Sequence, residues 1–141
     1  VIYPADYKLE FGKAVRHGEP GDLAIIACGY GVPLALEAAE SLRKEGLKIE
    51  VVNCASVKPL DEAAVIDAAK KANRGVLCVE EHQLQGGLGE LVARILSAAL
   101  PTRMAFFGMH DEFGQSGPAQ KVLEHYGFTA AKVAEAARQL L

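Results

Sequence analysis

Apolar and polar positions along this chain fall into repeating blocks, each a short continuous apolar run followed by a longer stretch with helical spacing. The run DLAIIACG (Asp22–Gly29) shows no alternation, the pattern of a strand buried on both faces. After it, VPLALEAAESLRKEG places Val32, Leu36, Ala39 and Leu42 on one helical face, with Pro33 just inside the start and Lys44 and Gly46 closing the end. LKIEVVNC (Leu47–Cys54) predicts a second buried strand. Pro59 ends the extended segment, and Asp61 is the expected N-cap of a helix whose inner face is Val65, Ala68, Ala69 and Ala72. Asp61 and Glu62 at its start and Lys70 and Lys71 at its end suit the helix dipole.

GVLCVEE (Gly75–Glu81) is the third strand, and the helix after it has the cleanest period in the chain. Leu88, Leu91, Val92, Ile95, Leu96 and Ala99 all fall on its predicted inner face. TRMAFFGM (Thr102–Met109) predicts a fourth strand. It leads to a helix from about Pro118 to His125, stopped by Gly127, and to a last helix capped by Thr129 and running to Leu141. Strands and helices alternating at this spacing predict a parallel sheet covered by helices on both faces. A further short strand near Ala14–His17 joins at an edge. Its charge and the Gly18–Gly21 loop suit an antiparallel placement. No repeat, linker or low-complexity tract interrupts the chain, so residues 1–141 read as one domain.

Composition narrows the function classes. Apolar residues make up 50% and charged residues 23%, a globular balance. A net charge of −3 with no basic patch argues against nucleic acid as a partner, and the apolar runs are too short to span a membrane. Cys28, Cys54 and Cys78 are odd in number, widely spaced and set in apolar runs. That suits buried thiols in a reducing compartment, the cytoplasm. The chain opens on Val1 without a signal-peptide architecture, as a section of a longer protein would.

Ligands of open α/β sheets collect beyond the carboxyl ends of the strands. Four loops lie there: CGYG (Cys28–Gly31), CASVKPLD (Cys54–Asp61), EEHQLQGGLG (Glu80–Gly89) and GMHDEFGQSG (Gly108–Gly117). His82, His110, Glu81 and Asp111 have metal-ligand chemistry, yet no two stand at i, i+4 on one helix. Ser116, His82 and Asp111 have the side chains of a triad, but the G-x-S-x-G elbow is absent and Ser116 is better explained as a residue starting a helix. QGGLGE opens a helix, whose free N–H groups could hold an anion, although the G-x-G-x-x-G register and a Walker lysine are missing. Gly29, Gly31, Glu81, His82, Gly86, Gly87, Asp111 and Ser116 are therefore candidates for an interface or anion site. No self-contained catalytic set emerges, which points to an edge facing another domain or subunit.

The ordered segments EFGKAVRHG, GDLAIIACGYGVPLALEAAESLRKEGLKIEVVNCASVKPLDEAAV, VEEHQLQGGLGE and HDEFGQSG…LEHYGFTAAKV resemble the C-terminal domain of transketolases, above all the C-terminal section of split transketolases. Related domains end 1-deoxyxylulose-5-phosphate synthase and the beta subunit of 2-oxo acid dehydrogenases. The resemblance runs from about Leu9 to Leu141. It implies a three-layer α/β/α sandwich with a five-stranded mixed sheet, mostly parallel, the first strand antiparallel. It also implies a non-catalytic assembly or dimerisation domain, with thiamine diphosphate and Mg held elsewhere in the complete enzyme. No catalytic, cofactor-binding or metal residue carries over onto this chain. The implied partners are the remaining transketolase domains or an N-terminal subunit, in a homodimer or heterotetramer. Gly31 and Pro33 stand where many relatives have bulkier aliphatic residues, so a tighter turn is expected there. The alternative is an independent small-ligand or nucleotide-binding regulatory module, with a closed pocket at the CGYG/GGLG edge.

Overall fold

The computed structural model describes residues 2–141, so Val1 lies outside the described residues. Five strands and five helices follow one another as β1 (Val15–Gly18), β2 (Leu23–Ala27), α1 (Gly31–Lys44), β3 (Ile49–Asn53), α2 (Glu62–Lys71), β4 (Val76–Gln83), α3 (Leu88–Ala99), β5 (Met104–Met109), α4 (Ala119–His125) and α5 (Ala130–Arg138). The sheet order is β1-β3-β2-β4-β5. β1 pairs antiparallel with β3, Val15 opposite Asn53, while β3, β2, β4 and β5 are mutually parallel. The expected mixed sheet with an antiparallel edge strand is thus the one found.

Residue parity divides the core between the two faces of the sheet, because successive side chains of a strand point to opposite sides. Leu23, Ile25, Ile49, Val51, Leu77 and Val79 pack with α1 and α5. Ala24, Ile26, Val52, Val76 and Cys78 pack with α2 and α3. All five residues of β2 and of β3 are buried, which accounts for the unbroken apolar run of β2. Even the two polar members of β3 have partners. Arg16 donates to buried Glu50 through Nε at 2.6 Å and Nη2 at 2.7 Å, and its Nη1 donates to Asp67.

The helix boundaries follow from local chemistry. Asp61 caps α2 by accepting the Ala64 N–H at 3.1 Å, and Thr129 caps α5 by accepting from Lys132 at 3.3 Å. Asp61 also accepts the Ala14 N–H at 3.2 Å, which ties the entry of β1 to the start of α2. The inner stripes differ from expectation at a few positions. On α1, Leu36 is only half-buried and Ala35 and Ala38 take the sheet face. On α3, Leu91 is half-buried and Ala99 exposed, while Leu88, Gly89, Val92, Ile95 and Leu96 are buried. Leu91 lies beside the Val57–Leu60 loop rather than on the sheet, so the inner face of α3 is narrower than its apolar stripe.

Candidate functional site: the carboxyl edge of the sheet

The loops after β2, β3, β4 and β5 all emerge at one edge, where a site was expected. β4 continues past Glu81 to Gln83, and its last turn of strand is held by a pairing of Gln83 with Met109 after an irregularity beyond Val79. Glu81 and His82 therefore stand on a protruding strand end, both exposed. The His82 ring Nδ1 donates to the Gln83 carbonyl oxygen at 2.7 Å.

The one carboxylate of this stretch that is buried is Glu80, 2% exposed. It shares the face of Val76 and Cys78, the face that α3 covers. Its Oε2 accepts the Leu88 N–H at 2.7 Å and its Oε1 the Gly89 N–H at 2.8 Å. Glu80 thus caps α3 from a neighbouring strand, supplying negative charge where the helix dipole and two unpaired N–H groups require it. Gly87 has no side chain for this reason: a Cβ there would lie 2.1 Å from Glu80 Oε2. Gly86, with φ +77°, makes the turn into the helix and donates its N–H to Glu90 Oε2 at 2.9 Å. Sequence reasoning singled out Glu81 and missed Glu80, although counting by twos from Val76 and Cys78 puts Glu80 on the α3 side.

Gly29 takes φ +54° in the turn after β2. Gly31 opens α1 so close to β4 that a Cβ would come 2.7 Å from the Val79 carbonyl oxygen. Asp111 and Ser116 are both exposed in the loop between β5 and α4. No hydrogen bond or ion pair joins Ser116, His82 and Asp111 among the described residues, and no group of three or more His, Cys, Asp or Glu there is placed to hold a metal.

The three cysteines gather on the α2/α3 face below this edge. Burial, then the Glu80 charge, pushes the Cys28 thiol up to about 11. Burial, then Cys28 and Asp61, pushes Cys54 up to about 12, and burial raises Cys78 well above the usual thiol range. All three stay protonated at neutral pH, which suits packing and opposes nucleophilic work. At the outer edge, Asn53 Nδ2 donates to Tyr3 Oη at 2.7 Å, and Tyr3 Oη lies 3.0 Å from His17 Nε2. Tyr3 also stacks on Tyr7 at 4.2 Å, so the segment before β1 is laid along the sheet.

The glycine-rich start of α3 is filled by a buried carboxylate that repels a diphosphate. What the edge does display is apolar surface: Tyr30 is 39%, Val57 38% and Phe113 96% exposed.

Known proteins place this architecture. The family described as "Transketolase, C-terminal domain" matches residues 12–133. The chain belongs to the transketolase C-terminal domain family. A putative transketolase C-terminal section of Methanocaldococcus jannaschii is 38% identical over 132 residues, covering 93% of this chain and 40% of that protein. A 1-deoxy-D-xylulose-5-phosphate synthase of Heliobacterium modesticaldum is 38% identical over 130 residues, covering 92% of this chain and 20% of its own length. A solved structure described as "Split gene transketolase, inactive beta4 tetramer" superposes with a TM-score of 0.92 at 38% identity, over all of this chain and 46% of that one. The transketolase C-terminal domain therefore spans less than half the length of each of these relatives.

Proposed function

We propose that this domain is the non-catalytic assembly part of a thiamine-diphosphate-dependent transketolase-type enzyme. The whole enzyme would move a two-carbon ketol unit between sugar phosphates in the cytoplasm. Thiamine diphosphate and Mg come with the remaining domains or an N-terminal subunit, in a homodimer or a heterotetramer.

The observation that carries this reading is the carboxyl edge itself. In an open α/β sheet this is the position of the active site, and here it carries exposed Tyr30, Val57 and Phe113 around a helix start already filled by Glu80. An edge of that character suits contact with protein. The solved split-gene relative, described as an inactive β4 tetramer, supports a chain of this type that assembles without being active. The rival reading, a module that binds a nucleotide or small ligand by itself, requires an open N–H cradle at Gly86–Gly89, and there Glu80 takes the Leu88 and Gly89 N–H groups and Glu90 takes that of Gly86.

The test is ketol transfer from a ketose phosphate with thiamine diphosphate and Mg, for this chain alone and mixed with the polypeptide encoded immediately upstream. Activity is expected only in the mixture. A silent mixture, together with saturable binding of a small ligand by the chain alone, would replace this reading with the ligand-binding one.

A further inference from the structure

The segment before β1, residues 2–13, is hydrogen-bonded to the sheet through a single side chain. Burial does little to hold it, since Ile2 is 41%, Tyr7 36%, Leu9 60% and Phe11 73% exposed. Its backbone hydrogen bonds among the described residues are internal: the Tyr7 N–H donates to the Pro4 carbonyl oxygen and the Lys13 N–H to that of Glu10. Among the same residues, its side-chain hydrogen bonds to the sheet all pass through Tyr3 Oη. That atom lies 2.7 Å from Asn53 Nδ2 and 3.0 Å from His17 Nε2. Tyr7 backs the contact by stacking on the Tyr3 ring.

Hydrogen-bond chemistry fixes the protons of this network. An amide NH2 only donates, so Tyr3 Oη accepts from Asn53 and its own O–H goes to the His17 ring. That donation requires an unprotonated Nε2. Protonation sets a second N–H against Tyr3 Oη and leaves the phenol proton without an acceptor. No carboxylate offsets the new charge. His17 and Asn53 share the face of Val51, whereas Glu50 and Asp67 lie on the other face, engaged by Arg16. From α1, Arg43 Nη2 donates to the His17 carbonyl oxygen at 3.3 Å. Burial, then that Arg43 charge, holds the imidazole below its ordinary value. A segment held by the neutral ring is released as pH falls, and one proton shifts the balance of held and free by at most about tenfold per pH unit.

From this arrangement we infer that residues 2–13 form an acid-released strap: Tyr3, held between Asn53 and the unprotonated ring of His17, fastens it to the sheet, and proton uptake by His17 frees it. Release uncovers Asn53, which is 6% exposed in the fastened form. It also lets Ile2, Tyr7, Leu9 and Phe11 swing as one segment about Ala14, whose N–H stays on Asp61 at 3.2 Å. The inference is independent of the assembly reading above.

The chain contains no tryptophan, so Leu9→Trp places a single reporter in the strap. Its time-resolved anisotropy is followed from about pH 8 to about pH 5, a window that brackets the ordinary imidazole value. The parent, Tyr3→Phe and His17→Gln backgrounds are compared, with far-UV circular dichroism as the control for the fold. In the parent a reporter restrained at the upper end and mobile at the lower end is expected, with the circular dichroism unchanged. In Tyr3→Phe the reporter is mobile throughout, and both variants lose the pH dependence. A parent reporter indifferent to pH, a response that survives in His17→Gln, or a response matched by loss of circular dichroism overturns the strap. Carbon NMR of the imidazole reads the same coupling from the other side without the tryptophan. Freed of the strap, His17 in Tyr3→Phe takes up its proton at a higher pH than in the parent. Equal midpoints overturn the inference.

Discussion

Removing the Glu80 carboxylate is the most informative perturbation of this domain. Glu80 is 2% exposed and accepts the Leu88 and Gly89 N–H groups at 2.7 and 2.8 Å. Glu80→Ala strands both buried donors, each at a cost of about 1–3 kcal/mol, and removes the charge that complements the start of α3. Releasing a desolvated carboxylate offsets part of that loss, so the net destabilisation is about 2–4 kcal/mol. At roughly 4 °C per kcal/mol for a domain of this size, Tm falls by about 8–16 °C. Glu80→Gln keeps one oxygen acceptor and turns an NH2 toward the other donor, so it falls between Ala and the parent. Gly87→Ala supplies the control, since its Cβ would lie 2.1 Å from Glu80 Oε2 and 2.6 Å from Cδ. It destabilises the parent and costs much less in the Glu80→Ala background, because the two positions share one contact. Thermal and urea unfolding of the four proteins in this cycle measure both effects. A Glu80→Ala melt within about 1 °C of the parent, or additive costs in the cycle, would refute the strand-to-helix cap.

Other consequences can be read in the same assays. Arg16→Ala leaves Glu50, 3% exposed, without its two-point partner and is expected to cost about 3–5 kcal/mol, while the Arg16→Met/Glu50→Leu pair recovers most of the loss; a double variant no better than the single one would count against a buried ion pair. Burial, then the Arg43 charge, lowers the His17 pKa in the folded protein. The unfolded chain therefore takes up the proton first as pH falls, so stability at this site is complete above the ordinary imidazole value near 6.5 and declines below it. His17→Gln should flatten the dependence of Tm on pH between about 7 and 5, and an identical slope would exclude His17 as its source. Leu88→Ala, at a fully packed position, is expected to cost about 2–5 kcal/mol and Leu91→Asp, at the rim of a hollow, about 1 kcal/mol or less; the reverse order would restore Leu91 to the buried face.

The architecture was readable in the chain wherever one local rule decided the outcome. The apolar run at Leu23–Ala27 and the mostly apolar Ile49–Asn53 are strands covered on both sides, as their lack of alternation implied, and Asp61 and Thr129 cap the helices that their positions announce. Leu91 shows where the rule stops. Helical spacing gives the width of an apolar stripe, but which residues of the stripe meet the sheet depends on the neighbour, and here the Val57–Leu60 loop takes Leu91. Glu80 is a different kind of miss. Its parity with Val76 and Cys78 was visible, whereas its partners lie 8 and 9 residues on, across a glycine turn whose path only the fold determines. The candidates Glu81, His82, Asp111 and Ser116 share an edge without a hydrogen bond joining them, a separation set by loop geometry that residue types alone do not encode.

The glycines of QGGLGE bear on what this edge can recognise. Glycine at a helix entrance permits a close approach, and the approaching group need not be a ligand. At Gly87 it is the protein's own Glu80. Once a carboxylate fills the helix start, an incoming phosphate meets negative charge from Glu80, Glu81 and Asp111 along the same edge, while an incoming protein surface meets Tyr30, Val57 and Phe113. Coulomb repulsion disfavours the first encounter and burial of apolar area favours the second, at about 25 cal/mol per Å². One substitution outside the packed core, Glu81→Lys, separates these terms. It changes the charge at the centre of the edge and leaves the apolar contacts alone. If association depends on burial, Glu81→Lys alters its salt dependence and leaves most of its strength, whereas an edge built for anions would gain affinity for inorganic phosphate with the same change.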